Sequence, residues 1–255
     1  MPRYNWTREQ LITALNLYVK MGFTKVHYTN PKVIELAAII GRSPSAVALK
    51  LVNFARLDPE LQQRGVSGMS HGSHGEEVVW NEFYHDFQKL AQVGEEIIAN
   101  FKKMPLEVSA GIPLYDLPRD GREREAIVRQ RVNQRFFRDM ILGLYKNTCC
   151  ITGLHNPQLL IAGHITEWSK DELNRLNPAN GLCLNLLHDK AFERGLLSID
   201  TNYRIRISSE LRARKKDSAI QDYFLRYENQ TITLPHSYLP DKVFLDKHYS
   251  ERFIP

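Results

Sequence analysis

The stretch that decides the fold reads LLIAGHI at 159–165, NPANGLCLNLL at 177–187 and HDKAFERG at 188–195. The first run is short and apolar and lies between polar segments, which is typical of a buried strand. The run 182–186 predicts a second strand, and the residues after it predict a short helix that ends at Gly195, a common residue type at helix C-termini. The sequence therefore predicts the order strand, polar loop, strand and short helix, followed by a hairpin over 196–208.

Three polar residues in this unit offer complementary chemistry. His164 ends the first strand and can accept a proton from water near neutral pH, because an unperturbed imidazole titrates near ~6.5. Asn180, at the end of the loop, can bond backbone groups on both sides of it, and His188 can bind a divalent metal through a neutral imidazole nitrogen. A base, a loop clamp and a Lewis acid are the parts that phosphodiester hydrolysis needs. Each residue alone is an ordinary polar residue, but the intervals of 16 and 8 residues and the strand and helix placement favour a site.

The same segments resemble a known nuclease family. CITG at 150–153, AGHI at 162–165, NPANGL at 177–182 and LHDKAFERGLLSID at 187–200 resemble the HNH endonuclease domain, a ββα-metal unit. The similarity is greatest to the subgroup at the C-terminal end of prokaryotic restriction-type proteins, and it extends to 134–138, 203–205 and 244–245. It therefore covers about the second half of the chain.

The resemblance implies a role for each residue of the site. His164 is the general base, Asn180 shapes the loop, and His188 is a metal ligand. The implied cofactor is a divalent metal ion, Mg²⁺ or Mn²⁺, with Zn²⁺ and Ni²⁺ as alternatives, and the implied products carry 5′-phosphate and 3′-hydroxyl ends.

The sequence departs from the family pattern at one position. Many HNH enzymes have Asp or His immediately before the base as a second metal ligand, whereas this chain has Gly163. Asp189, Glu167 or water could complete the metal shell, and Asp189 is the expected second ligand because it adjoins His188.

The cysteines do not form the pairs of zinc-stabilised relatives. Cys149, Cys150 and Cys183 lack C-x-x-C spacing, and their odd number does not fit a disulfide framework. We expect buried thiols, since free cysteine packs as a small hydrophobic residue. A zinc site of three cysteines and a nearby histidine is the alternative.

The first sixty residues predict three helices. Thr7 and Gln10 form a capping-box pattern, and helices over 31–40 and 44–56 are joined by a short turn that contains Gly41, which is helix-turn-helix spacing. In that motif the second helix enters the DNA major groove. Its outward residues are expected to be Ser45, Lys50, Asn53 and Arg56. The alternative is a plain three-helix bundle with polar outer positions.

The whole chain is predicted to be an α+β protein of two domains. Residues 1–103 are expected to form an N-terminal helical, helix-turn-helix-like domain that positions the protein on DNA. A linker marked by prolines is expected at 104–118, and a C-terminal ββα-metal HNH nuclease domain at 119–255.

The charge of the chain is unevenly distributed. The 255 residues carry +5 overall, with 0 over 1–118, +4 over 119–146, −2 over 147–200 and +3 over 201–255. Two basic segments flank an acidic one. This arrangement suits a protein that holds a polyanion with its basic segments around a metal-binding centre. The residues expected to contact DNA are Lys50, Asn53, Arg131, Arg135, Arg138 and Arg204. The alternative is that these charges lie on solvated helix faces.

The sequence thus predicts a divalent-metal-dependent DNA endonuclease of the restriction or defence type that acts on double-stranded DNA. Because one HNH unit cuts one strand, a double-strand cut requires a homodimer or two binding events. Two alternatives stay open: a non-catalytic DNA-binding regulator with a decayed HNH fold, indicated by Gly163 and the helix-turn-helix spacing, and an RNA nuclease, since the chemistry at phosphorus is shared.

No segment predicts contact with a membrane. The longest apolar runs, such as 33–40, fall far short of the roughly 20 residues that span a bilayer, and the N-terminus lacks the apolar core of a signal peptide. We therefore expect a cytoplasmic protein.

Overall fold

Helices dominate the first half of the chain, and two small sheets lie in the second half. The computed structural model describes residues 5–22, 26–63, 65 and 72–255. Its contacts divide the chain into two units, Met1–Met140 and Ile141–Pro255. No helix in the described ranges is long and apolar enough to cross a membrane.

The first unit is helical. Its helices are α1 (Arg8–Met21), α2 (Pro31–Ile40), α3 (Pro44–Ala55), α4 (Pro59–Gln63), α5 (His74–Phe83), α6 (Phe87–Lys102), α7 (Leu106–Ser109) and most of α8 (Gly121–Leu144). The capping box that was predicted for α1 is confirmed, because the Gln10 backbone N–H donates to the Thr7 hydroxyl and the Thr7 N–H donates to the Gln10 side chain. The turn between α2 and α3 is confirmed as well, with Gly41 in the left-handed conformation at φ 67°.

Part of the outward face expected for α3 is covered by α5, whereas Ser45 at the start of the helix is exposed. Lys50 forms an ion pair with the fully buried Glu76 of α5, and the Asn53 amide donates to the same carboxylate at 3.0 Å. Arg56 lies 3.0 Å from Glu77 of α5. These contacts with the carboxylates of α5 do not fit the expected placement of the three side chains in a DNA groove.

The segment expected to be a linker is packed against α8. Residues 104–118 contain α7 and a 3-10 turn (Leu114–Asp116), and Ala110 and Ile112 are buried against Val128 and Val132. Its apolar side chains pack on the helix, so 104–118, which the sequence predicts to be a linker, lies within the first unit.

The second unit carries both sheets. In chain order its elements are β1 (Leu160–His164), β2 (Gly181–Asn185), α9 (Leu186–Glu193), β3 (Leu197–Ile199), β4 (Ile205–Ile207), α10 (Ser209–Ala213), α11 (Ser218–Tyr223) and α12 (Lys242–Glu251). β1 pairs antiparallel with β2, with His164 opposite Gly181, and β3 pairs antiparallel with β4. The predicted order of strand, loop, strand, helix and hairpin is confirmed.

The end of α9 is closed by a glycine and by the C-terminal segment. Gly195 has φ 71°, a conformation that L side chains rarely adopt, and a Cβ on it would overlap the carbonyl oxygen of Arg252. The Ile254 N–H donates to the Gly195 carbonyl at 3.0 Å. The short helix is therefore held at both ends, by its N-cap Asn185 and by the residues after α12.

Candidate active site

His164 stands at the end of β1 and is held from the following loop. Its Nε2 lies 2.9 Å from the carbonyl oxygen of Arg175, and the Trp168 ring packs edge-on at 5.4 Å between centroids. Because a carbonyl oxygen only accepts hydrogen bonds, Nε2 carries the proton. In the neutral ring the lone pair then lies on Nδ1, which is the basic atom of the imidazole.

The surroundings of His164 favour this neutral form. Burial lowers the pKa of the imidazole, and the hydrogen bond to the Arg175 carbonyl, which favours the charged form, opposes that effect only in part. The ring is thus unprotonated near neutral pH, as a general base must be.

Asn180 ties together the two ends of the loop that holds His164. Its Oδ1 accepts the Thr166 backbone N–H at 2.8 Å, and its Nδ2 donates to the carbonyls of Thr166 and Asn174 at 3.1 and 3.2 Å. Its own carbonyl accepts the Ile165 N–H at 2.9 Å. Asn180 is 1% exposed, and both sides of its amide are used in fixing the backbone next to His164.

His188 is buried, and both of its ring nitrogens already have partners. Nε2 donates to the Tyr223 carbonyl at 2.6 Å, and Nδ1 lies 3.2 Å from the side-chain amide nitrogen of Asn185. His188 is 1% exposed. In this arrangement neither nitrogen is available to a metal, so the geometry does not fit the metal-ligand role expected for His188. The residue instead connects α9 to α11.

The same ring also contacts a buried thiol. Burial acts to raise the pKa of Cys149, but hydrogen bonding with the side chains of His188 and Thr152 and with the nearby backbone outweighs it and brings the pKa to about 7. Cys149, Cys150 and Cys183 are buried and none of them is in a disulfide, so the prediction of buried thiols is confirmed.

Asp189 lies on α9 and faces β1 at Gly163, the residue before His164. A Cβ built on Gly163 would lie 2.5 Å from Asp189 Oδ1, so the carboxylate occupies the space that a side chain at the position before His164 would fill. No hydrogen-bond or ion-pair partner of this carboxylate is found within the described ranges. Burial, and then the charge of Glu193, raise the pKa of Asp189 to about 6, although Lys190 acts in the opposite direction.

A partly buried carboxylate without a partner fits a hard divalent cation. Among the residues that the structure describes, no three His, Cys, Asp or Glu side chains are grouped to hold a metal. Glu167, the other carboxylate considered, is paired with Arg252 and lies 3.5 Å from Lys170.

The arginines expected to bind DNA lie in both units. Arg131 is 3.5 Å from Asp116, the Arg135 guanidinium donates to the Ala110 carbonyl, and Arg138 is half-buried, all three on the part of α8 in the first unit. Arg204 is exposed in the second unit, and its Nη1 donates to the Asn229 carbonyl at 3.2 Å.

Sequence reasoning missed two residues that support the site. Asn185 caps α9 by accepting the His188 backbone N–H at 2.8 Å, and an asparagine before a helical run is a recognisable N-cap signal. The carbonyl of Arg175 orients His164, but a backbone contact across a loop leaves no sequence signal.

One comparison with known proteins bears on this geometry. Residues 149–200 match the family model described as HNH endonuclease, a segment that includes β1, β2, α9 and β3. No curated protein matches the chain. The match supports an HNH nuclease domain in the C-terminal part of the chain and confirms the resemblance found in the sequence. Nuclease activity is the function that this class of domain indicates.

Proposed function

We propose that this protein is a divalent-metal-dependent endonuclease that hydrolyses phosphodiester bonds in double-stranded DNA, in a restriction or defence role. One arrangement carries the proposal. His164 is neutral and is held in place by the loop that follows β1, and the Asp189 carboxylate lies over the same strand. This pair belongs to the segment that matches the HNH endonuclease family.

His164 is the general base of the proposed reaction. Nδ1 takes a proton from water, whose oxygen forms a bond to phosphorus while the bond to the 3′ oxygen breaks. The hydrogen bond from Nε2–H to the Arg175 carbonyl keeps the ring in place and strengthens as the ring becomes positive. The products are a 5′-phosphate and, once the leaving oxygen is protonated, a 3′-hydroxyl.

Asp189 is the proposed metal ligand in place of His188. When bound, Mg²⁺ or Mn²⁺ supplies positive charge to the phosphate and to the leaving oxygen. Asn180 keeps His164 in position, and His188 holds α9 through Tyr223 and Asn185 so that Asp189 remains over β1.

DNA is proposed to be held by arginines rather than by α3. Arg131 and Arg138 of α8 and Arg204 of the second unit are the proposed phosphate contacts, because guanidinium groups match phosphate oxygens. Two copies of the chain, or two binding events, account for a double-strand cut.

Plasmid cleavage in defined metal tests the proposal. We expect Mg²⁺ or Mn²⁺ to support nicking or linearisation of supercoiled DNA, excess EDTA to stop it, and Asp189→Asn to abolish it. Glu210→Gln is the matched control, since Glu210 is an exposed carboxylate of the second unit that does not act on Asp189. Undiminished cleavage in EDTA or by the Asp189 variant contradicts the metal role.

Different substrates test whether the protein cleaves DNA or RNA and whether it acts in restriction. Plasmids with and without modified bases, and RNA of matched sequence, are incubated under the same conditions. Cleavage of DNA but not RNA supports the DNA assignment, whereas preferential RNA cleavage contradicts it. A dependence on base modification supports the restriction role.

A further inference from the structure

A cleft of about 220 Å³ lies in the helical unit and is lined from α1, α2, α6 and α8. Apolar side chains form part of its lining, namely Leu17, Leu36, Ile39 and Ile98. Two buried polar residues of α1, Thr13 and Asn16, face the same space, with exposures of 0% and 1%. Thr13 Oγ1 donates to the Gln10 carbonyl at 2.9 Å, and Asn16 Nδ2 donates to the Leu90 carbonyl at 3.3 Å. The amide oxygen of Asn16 has no hydrogen-bond partner in the described structure. This mixed lining suits a ligand that has both an apolar face and a hydrogen-bonding edge.

Two glycines make room for polar side chains of the cleft. A Cβ on Gly94 of α6 would overlap the side-chain amide of Asn16. A Cβ on Gly111, which has φ 63°, would lie 2.6 Å from Nη1 of Arg135. The backbone therefore approaches Asn16 and Arg135 more closely than any larger residue would allow, and it keeps both side chains in place along the cleft.

Most charges around the cleft are paired with one another. The pairs are Lys20 with Glu95, Lys32 with Asp139 at 3.8 Å and Lys102 with Glu35 at 3.8 Å. Arg135 has no acidic partner in the described part of the chain, and it gives the lining its excess positive charge.

Arg135 and an unused hydroxyl meet at one corner of the cleft. The Arg135 guanidinium donates to the carbonyl of Ala110, and the neighbouring Ser109 has a buried Oγ without a hydrogen-bond partner in the described structure. A fixed guanidinium beside a free hydroxyl is suited to bind one anionic group, such as a phosphate.

We propose that this cleft binds a single nucleotide unit. Its phosphate lies at Arg135 and Ser109, its base packs between the apolar side chains, and the amide oxygen of Asn16 accepts a hydrogen bond from the edge of the base. The unit is either a free mononucleotide or a nucleotide extruded from DNA. Only the second source rests on the proposed DNA substrate.

Calorimetry on the full chain tests the first source. The probes are the four deoxynucleoside monophosphates, with inorganic phosphate to measure the anion corner alone. We expect Ser109→Ala to weaken binding by about three- to tenfold and Arg135→Gln by about tenfold or more, as for neutral and charged hydrogen bonds. Arg129→Gln, an exposed arginine of the same helix, leaves binding unchanged. Ser109→Ala removes a hydroxyl that has no protein partner, so we expect it to fold normally.

A duplex with 2-aminopurine at successive positions tests the second source. Extrusion of a base raises the probe's fluorescence, and we expect the rise to be lost in Ser109→Ala and Arg135→Gln while anisotropy still reports duplex binding. If the protein does not bind the duplex at all, the result counts against the proposed DNA substrate. The calorimetry with free nucleotides then decides whether the cleft binds a nucleotide. The proposal is overturned if no free nucleotide binds at millimolar concentration and no fluorescence rise occurs, or if either signal is unaffected by both variants.

Discussion

The two ring nitrogens of His164 have different roles because of one backbone contact. Nε2 donates to the Arg175 carbonyl, which leaves Nδ1 as the basic atom, and partial burial lowers the pKa of the ring. A protonated His164 cannot accept a proton from water. Activity should therefore be lost as pH falls through this pKa and should be constant above it.

The pH dependence of cleavage follows from the lowered pKa of His164. At saturating Mg²⁺ we expect the single-turnover rate to rise with pH and to level off, with a midpoint below the usual imidazole pKa of about 6.5. Initial rates between pH 5 and 8 measure it, with DNA binding recorded at each pH as the control. A midpoint above 7 contradicts the neutral His164.

The surroundings of His248 predict that the stability of the fold depends on pH. Its Nδ1 lies 2.9 Å from the Ser198 hydroxyl and its Nε2 lies 3.0 Å from the Phe192 carbonyl, with the ring stacked on Phe192. Burial lowers the pKa of His248 to about 4, helped by Arg252, although the Phe192 carbonyl opposes it. The folded protein therefore binds this proton less readily than the unfolded chain does.

The resulting stability is complete above pH 6.5 and is lost as pH falls toward 4. The loss amounts to about 3 kcal/mol for this histidine. Urea unfolding followed by fluorescence at several pH values measures it. His248→Gln should remove this part of the pH dependence, whereas His155→Gln, at an exposed position of the same unit, should not. An equal pH dependence in both variants contradicts the assignment.

At the scale of elements, the docking of α9 on β1 brings His164 and Asp189 into one unit. Gly163 allows this approach because its missing side chain leaves space for the Asp189 carboxylate. We expect Gly163→Ala to displace that carboxylate and to slow cleavage on the order of 10- to 100-fold, since small misplacements of a reacting group are costly. DNA binding should not change.

A double variant separates this effect from general damage to the fold. If Gly163→Ala acts through Asp189, its combination with Asp189→Asn is no slower than Asp189→Asn alone. Independent, additive losses in the double variant count against a displaced carboxylate.

Local signals in the sequence predicted most of the elements. The capping pattern of Thr7 and the glycines at 41 and 195 mark helix ends by backbone conformation, which neighbouring residues determine. The strand predicted at 159–165 is observed as Leu160–His164. These features depend on short stretches of chain, so pattern reasoning located them to within a residue or two.

Orientation was harder to predict because it depends on what covers an element. The polar face of α3 has the same periodicity whether it faces DNA or the buried Glu76, and nothing in α3 itself indicates α5. His188 and Asp189 are neighbours on a helix and project about 100° apart. Only the packing of α9 decides that Asp189 faces β1 and that His188 faces Tyr223.

For the molecule as a whole, the excess positive charge lies outside the segment that contains His164 and Asp189. We expect Arg131→Gln and Arg138→Gln each to reduce the salt dependence of DNA binding by about one unit per lost phosphate contact. Fluorescence anisotropy between about 50 and 200 mM salt measures the slope. Arg8→Gln, on α1, is the control, and an unchanged slope in both α8 variants would mean that these arginines lie on a solvated surface.

The central claim is that His164 is a catalytic base in a DNA-cleaving site. Its most direct test is supercoiled-plasmid cleavage by His164→Ala beside the wild-type protein in Mg²⁺, with DNA binding measured on the same samples. We expect cleavage to fall by about 10²- to 10⁴-fold, while binding and its salt dependence stay unchanged. Undiminished cleavage, or a parallel loss of binding, would contradict this role.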